Sequence, residues 1–72
     1  MKLINCNKTV DVKTFEEASA IIRETIKKKN MGSAMWYYNK KNNGCLYDED
    51  GRLIGNVSYN GRVWDNKGVE IK

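Results

Sequence analysis

The apolar and polar positions of the first segment alternate with the period of a β-strand. The apolar residues that share one parity are Ile4, Cys6, Val10 and Val12. This alternation predicts either one strand over residues 3–12, bent near residues 7 and 8, or two short strands on either side of residues 5–8. The single bent strand is the interpretation we favour.

The second segment has the period of an amphipathic helix. Its apolar stripe consists of Phe15, Ala18, Ile22 and Ile26. Thr14 and Glu17 have the spacing of a capping box, in which Thr14 accepts a hydrogen bond from the third helical N–H and Glu17 reaches back to the cap. Either Asn30 or Gly32 can take the left-handed position that ends a helix. The sequence therefore predicts a helix over Phe15–Lys29.

The rest of the chain reads as strands separated by turns. An aromatic run over residues 34–38 is typical of a strand, and further strands are predicted at 44–48, 52–59, 62–65 and 69–71. Residues 45–54 align without a gap on residues 62–71, so that an aromatic residue followed by Asp-x-x-Gly occurs twice. We interpret this repeat as a strand entering a tight turn. Between its two copies, Asn60-Gly61 predicts a hairpin with a type I′ turn.

These elements predict a single α+β domain over residues 1–72. Its expected architecture is one α-helix packed on a twisted, mainly antiparallel β-sheet, in the order β-α-β-β-β-β-β. A helix of this length is ~22 Å long and ~10 Å wide, which covers about two strands of a sheet. Either the sheet closes into a small barrel, or an apolar and aromatic patch is exposed. The predicted core is Ile4, Val10, Val12, Phe15, Ala18, Ile22, Ile26, Leu46, Leu53, Val57 and Val63.

Composition narrows the function classes. The chain of 72 residues is 40% hydrophobic and 31% charged, with a net charge of +4. This balance is typical of a globular domain, favours anionic partners and excludes a carboxylate-rich mimic of nucleic acid. No apolar run reaches the ~20 residues of a membrane span, and the first residues do not resemble a signal peptide. We expect a cytoplasmic protein with no membrane partner.

The sequence offers no recognisable catalytic or metal site. It contains no His, and no Ser or Cys lies beside a plausible base. Cys6 and Cys45 are expected to be small buried thiols rather than a disulfide or zinc ligands. The acidic turn at Asp48 lacks the spacing of a calcium loop. We therefore expect a non-catalytic protein with no cofactor and no metal.

Aromatic and basic side chains form the candidate binding site. Its predicted members are Trp36, Tyr38, Lys40, Lys41, Tyr47, Arg52, Tyr59, Arg62 and Trp64. Buried aromatic anchors with arginine partners are typical of protein interfaces, whereas sheet-borne aromatics among basic residues also suit single-stranded nucleic acid. A core or cross-strand pairing role for these rings is a further alternative, and a homodimer through an edge strand at 69–71 is another.

The chain resembles two known kinds of protein. The segment 44–68, with Gly44-x-Leu46-Tyr47-Asp48 and then Asn60-Gly61, resembles one unit of the MORN-type hairpin repeats. The whole layout, a short first strand, a Thr-capped helix and an aromatic meander within 72 residues, is similar to small phage-encoded anti-CRISPR proteins. That similarity implies an inhibitor in the host cytoplasm that occupies a surface of a host protein or ribonucleoprotein complex without catalysis.

Overall fold

One helix packs against a sheet of six strands in the computed structural model, which describes residues 1–30, 32 and 42–71. The elements are β1 (Lys2–Asn5), β2 (Lys8–Asp11), α1 (Phe15–Lys29), β3 (Cys45–Tyr47), β4 (Leu53–Val57), β5 (Val63–Asp65) and β6 (Glu70–Ile71). The predicted α+β class is confirmed. The strand predicted at 34–38 lies outside the described residues.

The sheet is open, with its strands in the order β2-β1-β3-β4-β5-β6. Every pair of neighbouring strands is antiparallel. β2 and β6 form the two outer edges, and among the described strands nothing joins them. Of the two alternatives drawn from the sequence, the described strands therefore show an open sheet rather than a closed barrel. In this part of the chain, no helix is long and apolar enough to cross a bilayer.

The first segment forms a hairpin of two strands, so the single bent strand was the wrong choice. β1 and β2 pair with Asn5 opposite Lys8, which leaves a two-residue turn. Both turn residues, Cys6 and Asn7, have positive φ, at 51° and 70°. A positive φ at both central residues is what a type I′ turn requires, and this turn matches the twist of the two strands it joins.

The helix begins and ends at the predicted residues. The Thr14 side chain accepts a hydrogen bond from the Glu17 N–H at 3.1 Å. The Glu17 carboxylate does not reach the N–H of the cap itself but accepts one from Lys13, at 3.5 Å. Asn30 takes the left-handed position, with φ 51° and ψ 44°, and donates its N–H to the last turn.

The three turns of the meander share one design. In each, the fourth residue of an Asp-x-x-Gly or Ser-x-x-Gly segment is a glycine with φ between 81° and 86°. The N–H of Gly61 donates to the Ser58 carbonyl at 2.9 Å, and the Ser58 N–H donates to Arg62. This is a three-residue hairpin loop, so the type I′ turn predicted at Asn60-Gly61 is wrong. Asn60 does not have the positive φ that such a turn needs.

Side chains from the helix and from one face of the sheet form the core. Those that are buried are Leu3, Val12, Ala18, Ile22, Leu46, Val57 and Val63. Most were predicted, and the predicted Val10, Phe15 and Ile26 pack against them while partly exposed. Leu3 takes the place expected for Ile4 because the hairpin register sets Leu3 opposite Val10.

Leu53 was predicted to be buried and is 47% exposed. The register between β3 and β4 shifts between Leu46 and Tyr47, so that Tyr47 pairs with Leu53 whereas Leu46 pairs with Gly55. This bulge places Leu53 on the face that does not contact the helix.

Candidate functional site

The sheet has two faces, and the helix packs on only one of them. Leu46, Val57 and Val63 point toward the helix and are buried. Because side chains alternate along a strand, their neighbours point the other way. We call this side the second face; its members by register include Lys2, Ile4, Cys45, Tyr47, Leu53, Asn56, Ser58, Arg62, Trp64 and Glu70. Within residues 1–30, 32 and 42–71, no helix or strand packs against it.

Two rows of paired residues run across the second face. In one row, Asn56 pairs with both Cys45 and Trp64, and Trp64 pairs in turn with Glu70. Tyr47 belongs to the other row. The two aromatic rings are therefore carried by strands that flank β4, two strand spacings or about 10 Å apart across the sheet.

The other row has Tyr47 at its centre. Tyr47 lies between Lys2 on β1 and Leu53 on β4. The exposed Leu53 side chain thus extends the apolar surface of the Tyr47 ring. Together the two rows join aromatic, aliphatic and polar groups into one continuous surface.

Both aromatic rings on this face are half-buried. The indole N–H of Trp64 donates to the Ser58 hydroxyl at 3.3 Å, so its polar atom is already satisfied within the chain. Burial raises the pKa of Tyr47, and the nearby Cys45 raises it further. The Tyr47 phenol is therefore a neutral donor at physiological pH. Rings held in this way offer apolar surface without a large loss of side-chain entropy on binding.

One basic group of the second face, Lys2, is already paired. The Lys2 ammonium donates to the Asp11 carboxylate. This contact raises the pKa of Lys2 and lowers the pKa of Asp11, with the hydrogen bond as the first cause and the charge interaction as the second. A second ion pair joins the amino group of Met1 to Glu49 at 3.0 Å. The positive charge of Lys2 is therefore balanced by a carboxylate.

The structure separates the predicted site residues into groups. Tyr47 and Trp64 share the second face. Arg52 lies next to the β3–β4 turn and Tyr59 in the β4–β5 turn, where Tyr59 is 38% exposed. Arg62, which pairs with Ser58, lies on the second face by the same register and is exposed. Trp36, Tyr38, Lys40 and Lys41 lie outside the described residues.

Sequence reasoning missed several members of the second face: Lys2, Cys45, Leu53, Asn56 and Glu70. Leu53 was assigned to the core because a bulge is not visible in an apolar pattern. Asn56 and Glu70 gave no signal as single polar residues, but their spacing from Trp64 follows from the hairpin register once the turns are known. The useful signal was the repeat of an aromatic residue followed by Asp-x-x-Gly, because it places Tyr47 and Trp64 in equivalent positions.

The described residues contain no group of three His, Cys, Asp or Glu side chains placed to hold a metal ion. Both cysteines are free thiols and half-buried. The carboxylates of Asp48 and Asp65 stabilise their own turns. Each accepts hydrogen bonds from two backbone N–H groups of the loop that it begins.

Comparison with known proteins found no relative of this chain. No protein-family model, no curated protein and no solved structure matches the chain.

Proposed function

We propose that this chain is a non-catalytic binding protein whose second face docks on another protein. The observation that supports the proposal is the composition of that face. It carries the half-buried rings of Tyr47 and Trp64 and the exposed Leu53 on a sheet whose other face holds the helix. Aromatic groups held by a rigid sheet, with polar residues around them, are typical of the centre of a protein interface.

The charge pattern favours a protein partner over nucleic acid. A binder of single strands needs unpaired basic groups beside its aromatic rings, to contact phosphates. On the second face, Lys2 is paired with Asp11, and Glu70 stands directly opposite Trp64. Arg62, exposed beside Trp64 on the same face, is balanced by the carboxylate of Glu70, so these residues carry no net positive charge. The small basic nucleic-acid binder is therefore the alternative, and it predicts salt-sensitive binding of bare DNA or RNA.

The class of partner that we propose is a protein or ribonucleoprotein complex of a host cell. Its basis is the similarity in size and layout to small anti-CRISPR proteins, together with the aromatic rings of Tyr47 and Trp64 on one face of the sheet. In this proposal, the chain acts as a phage-type inhibitor by occupying a surface of a host defence complex. The inhibition is steric and requires no cofactor.

The experiment is a pull-down from a lysate of the natural host with wild type and with Trp64→Ala. The matched control is Tyr59→Ala, which removes an exposed ring from the β4–β5 turn without altering the second face. All three proteins are first compared by thermal unfolding, and recovery is interpreted only at equal stability. We expect Trp64→Ala to lose the partner and Tyr59→Ala to keep it.

Equal recovery by both variants would remove Trp64 from the interface. A mobility-shift assay with single-stranded DNA and RNA at low and high salt tests the alternative. A shift that disappears as salt rises would favour nucleic acid as the partner.

A further inference from the structure

Two asparagines of the chain, Asn43 and Asn60, are directly followed by glycine. Asparagine side chains are thermolabile, and a following glycine speeds their loss of ammonia because it has no Cβ to hinder attack on the side-chain amide. From the sequence alone the two sites are equivalent. The structure distinguishes them, since one is held between two strands and the other lies in an exposed turn.

Asn43 and Gly44 are held on both sides by the sheet. Asn43 is only 6% exposed, and its side-chain oxygen accepts a hydrogen bond from the Cys6 N–H at 3.2 Å. The Gly44 N–H donates to the Ile4 carbonyl at 2.8 Å, and the Gly44 carbonyl accepts from the Val57 N–H at 2.7 Å. Releasing the Gly44 nitrogen therefore requires the start of β3 to separate from β1.

Asn60 is exposed, and its hydrogen bonds lie within its own turn. Its side-chain oxygen accepts from the Ser58 hydroxyl at 2.5 Å and from the Arg62 N–H at 3.3 Å. The Gly61 N–H donates to the Ser58 carbonyl at 2.9 Å. Because these bonds join close neighbours in sequence, a local opening of the turn releases the Asn60 amide and the Gly61 nitrogen together, while the flanking strands stay paired.

The opened turn allows the Gly61 nitrogen to attack the side-chain carbonyl carbon of Asn60. A bond forms between these two atoms as the nitrogen loses its proton to water, and the bond from the carbon to Nδ2 breaks and releases ammonia. Water then opens the cyclic imide at one of its two carbonyls. Opening at the side-chain carbonyl leaves aspartate, whereas opening at the main-chain carbonyl leaves isoaspartate, whose backbone is longer by a methylene group.

We propose that Asn60 is a site of spontaneous deamidation, and that its isoaspartate product breaks the hydrogen bonds that hold the Trp64 indole. The Trp64 N–H donates to the Ser58 hydroxyl at 3.3 Å, and that hydroxyl donates to the Asn60 oxygen. The added methylene displaces this oxygen, because the Ser19 hydroxyl ties the next residue, Gly61, to the helix at 2.6 Å. The modification therefore alters a ring of the second face, and any effect on binding rests on the function proposed above.

The aspartate product is compatible with the turn. In the β3–β4 turn, Asp50 occupies the position equivalent to Asn60, directly before a glycine of positive φ. That turn has the same backbone hydrogen bonds, from Gly51 to Asp48 and from Asp48 to Arg52. Asn60→Asp is therefore the matched control, since it carries the charge of the isoaspartate without the added methylene.

The first test compares the two asparagines in one sample of the intact protein, aged at mildly alkaline pH. Trypsin cuts after Lys41, Arg52 and Arg62, so the peptides 42–52 and 53–62 carry one site each, and fragment masses locate the converted residue. We expect Asn60 to be converted at least about tenfold faster than Asn43, because the reaction follows the population of the opened form. In the urea-unfolded protein the two rates should be similar. Equal rates in the folded protein, or conversion of Asn60 only in urea, would overturn the proposal.

The second test follows the Trp64 indole N–H by NMR in the purified isoaspartate form and in Asn60→Asp. It uses no partner, so its outcome is independent of the proposed function. We expect the indole proton of the isoaspartate form to exchange with solvent at least about tenfold faster than in wild type, because its hydrogen bond is lost. Asn60→Asp should exchange like wild type. An unchanged rate in the isoaspartate form, or an equal increase in Asn60→Asp, would overturn the link to Trp64.

Discussion

Ser19 and Gly61 join the two halves of the fold through a hydrogen bond of 2.6 Å from the Ser19 hydroxyl to the Gly61 carbonyl. The two residues are 42 positions apart in sequence, and their contact holds the first turns of the helix against the β4–β5 turn. Gly61 is needed there for two reasons: its φ is 86°, and Arg23 packs where a side chain would begin.

Gly61→Ala should therefore destabilise the protein more than the same change in the other meander turns. Gly51 and Gly68 have φ 81° and 84° but nothing within 4 Å of a Cβ, so they report the backbone strain alone. We expect Gly51→Ala and Gly68→Ala to cost roughly 1–2 kcal/mol, and Gly61→Ala roughly 1 kcal/mol more because of the overlap with Arg23. Urea unfolding measures all three.

A double-mutant cycle separates the two causes at Gly61. In an Arg23→Ala background the overlap is absent, and Gly61→Ala should cost no more than Gly51→Ala. An unchanged cost in that background would show that Arg23 does not pack on the turn.

Gly55→Ala tests a close approach without backbone strain, since the φ of Gly55 is not positive. A Cβ at Gly55 would lie 2.3 Å from the Trp64 carbonyl oxygen, in the backbone of the neighbouring strand. Backbone cannot move aside as a flexible side chain can, so we expect a loss of roughly 3 kcal/mol or more in the free energy of unfolding. A loss as small as that of Gly68→Ala would contradict the pairing of β4 with β5.

Leu3→Ala and Leu53→Ala make the same chemical change at two positions whose burial the alternation pattern assigned wrongly. Leu3 is fully buried, whereas Leu53 is 47% exposed on the second face. We expect Leu3→Ala to cost roughly 2–5 kcal/mol and Leu53→Ala less than about 1 kcal/mol. Chemical denaturation measures both losses of stability. A larger loss for Leu53→Ala than for Leu3→Ala would contradict both the hairpin register and the bulge.

Asp65 should make stability depend on pH in the acid range. Hydrogen bonds from the Val69 and Lys67 N–H groups hold the pKa of Asp65 below its ordinary value. A carboxyl whose pKa is lowered on folding stabilises the protein above its unfolded pKa of about 4, and this contribution is lost as the pH falls through the folded pKa. Asp65→Asn cannot titrate, so its free energy of unfolding should fall less steeply below about pH 4 than that of wild type.

The measurement is urea unfolding of both proteins at several pH values, with Asp50→Asn as an exposed control that receives no such pair of backbone hydrogen bonds. Equal slopes for wild type and Asp65→Asn would show that the Asp65 carboxylate does not hold the turn.

The helix and the meander turns could be predicted because local chemistry decides them. Thr14 and Asn30 are residues that favour helix ends. In the turn that ends at Gly68, the Asp65 carboxylate accepts hydrogen bonds from two backbone N–H groups of the same turn. The turn at Cys6 could not be predicted, because neither of its two residues is a glycine. The pairing of β1 with β2 along the whole hairpin compensates for the backbone strain of their positive φ angles.

For the candidate site, the sequence placed Tyr47 and Trp64 in equivalent positions, and the structure puts both on one face. It could not place Leu53 there, because β4 carries one extra residue between Leu53 and Gly55, which puts Leu53 on the opposite face from Gly55 and Val57. Arg62 was assigned to the same site because it comes from a strand end next to the rings, and the register of β4 with β5 places it on the face of Trp64.

The most direct test of the second face as an interface compares Leu53→Glu with Ala20→Glu. Both add one negative charge at an exposed apolar residue, but only Leu53 lies on the second face, whereas Ala20 lies on the helix. In pull-downs from host lysate at matched stability, we predict that Leu53→Glu loses at least about tenfold of the captured partner, because a charge at an interface centre must be desolvated. Ala20→Glu should recover it like wild type. Equal recovery by the two variants, or loss with Ala20→Glu alone, would contradict the account.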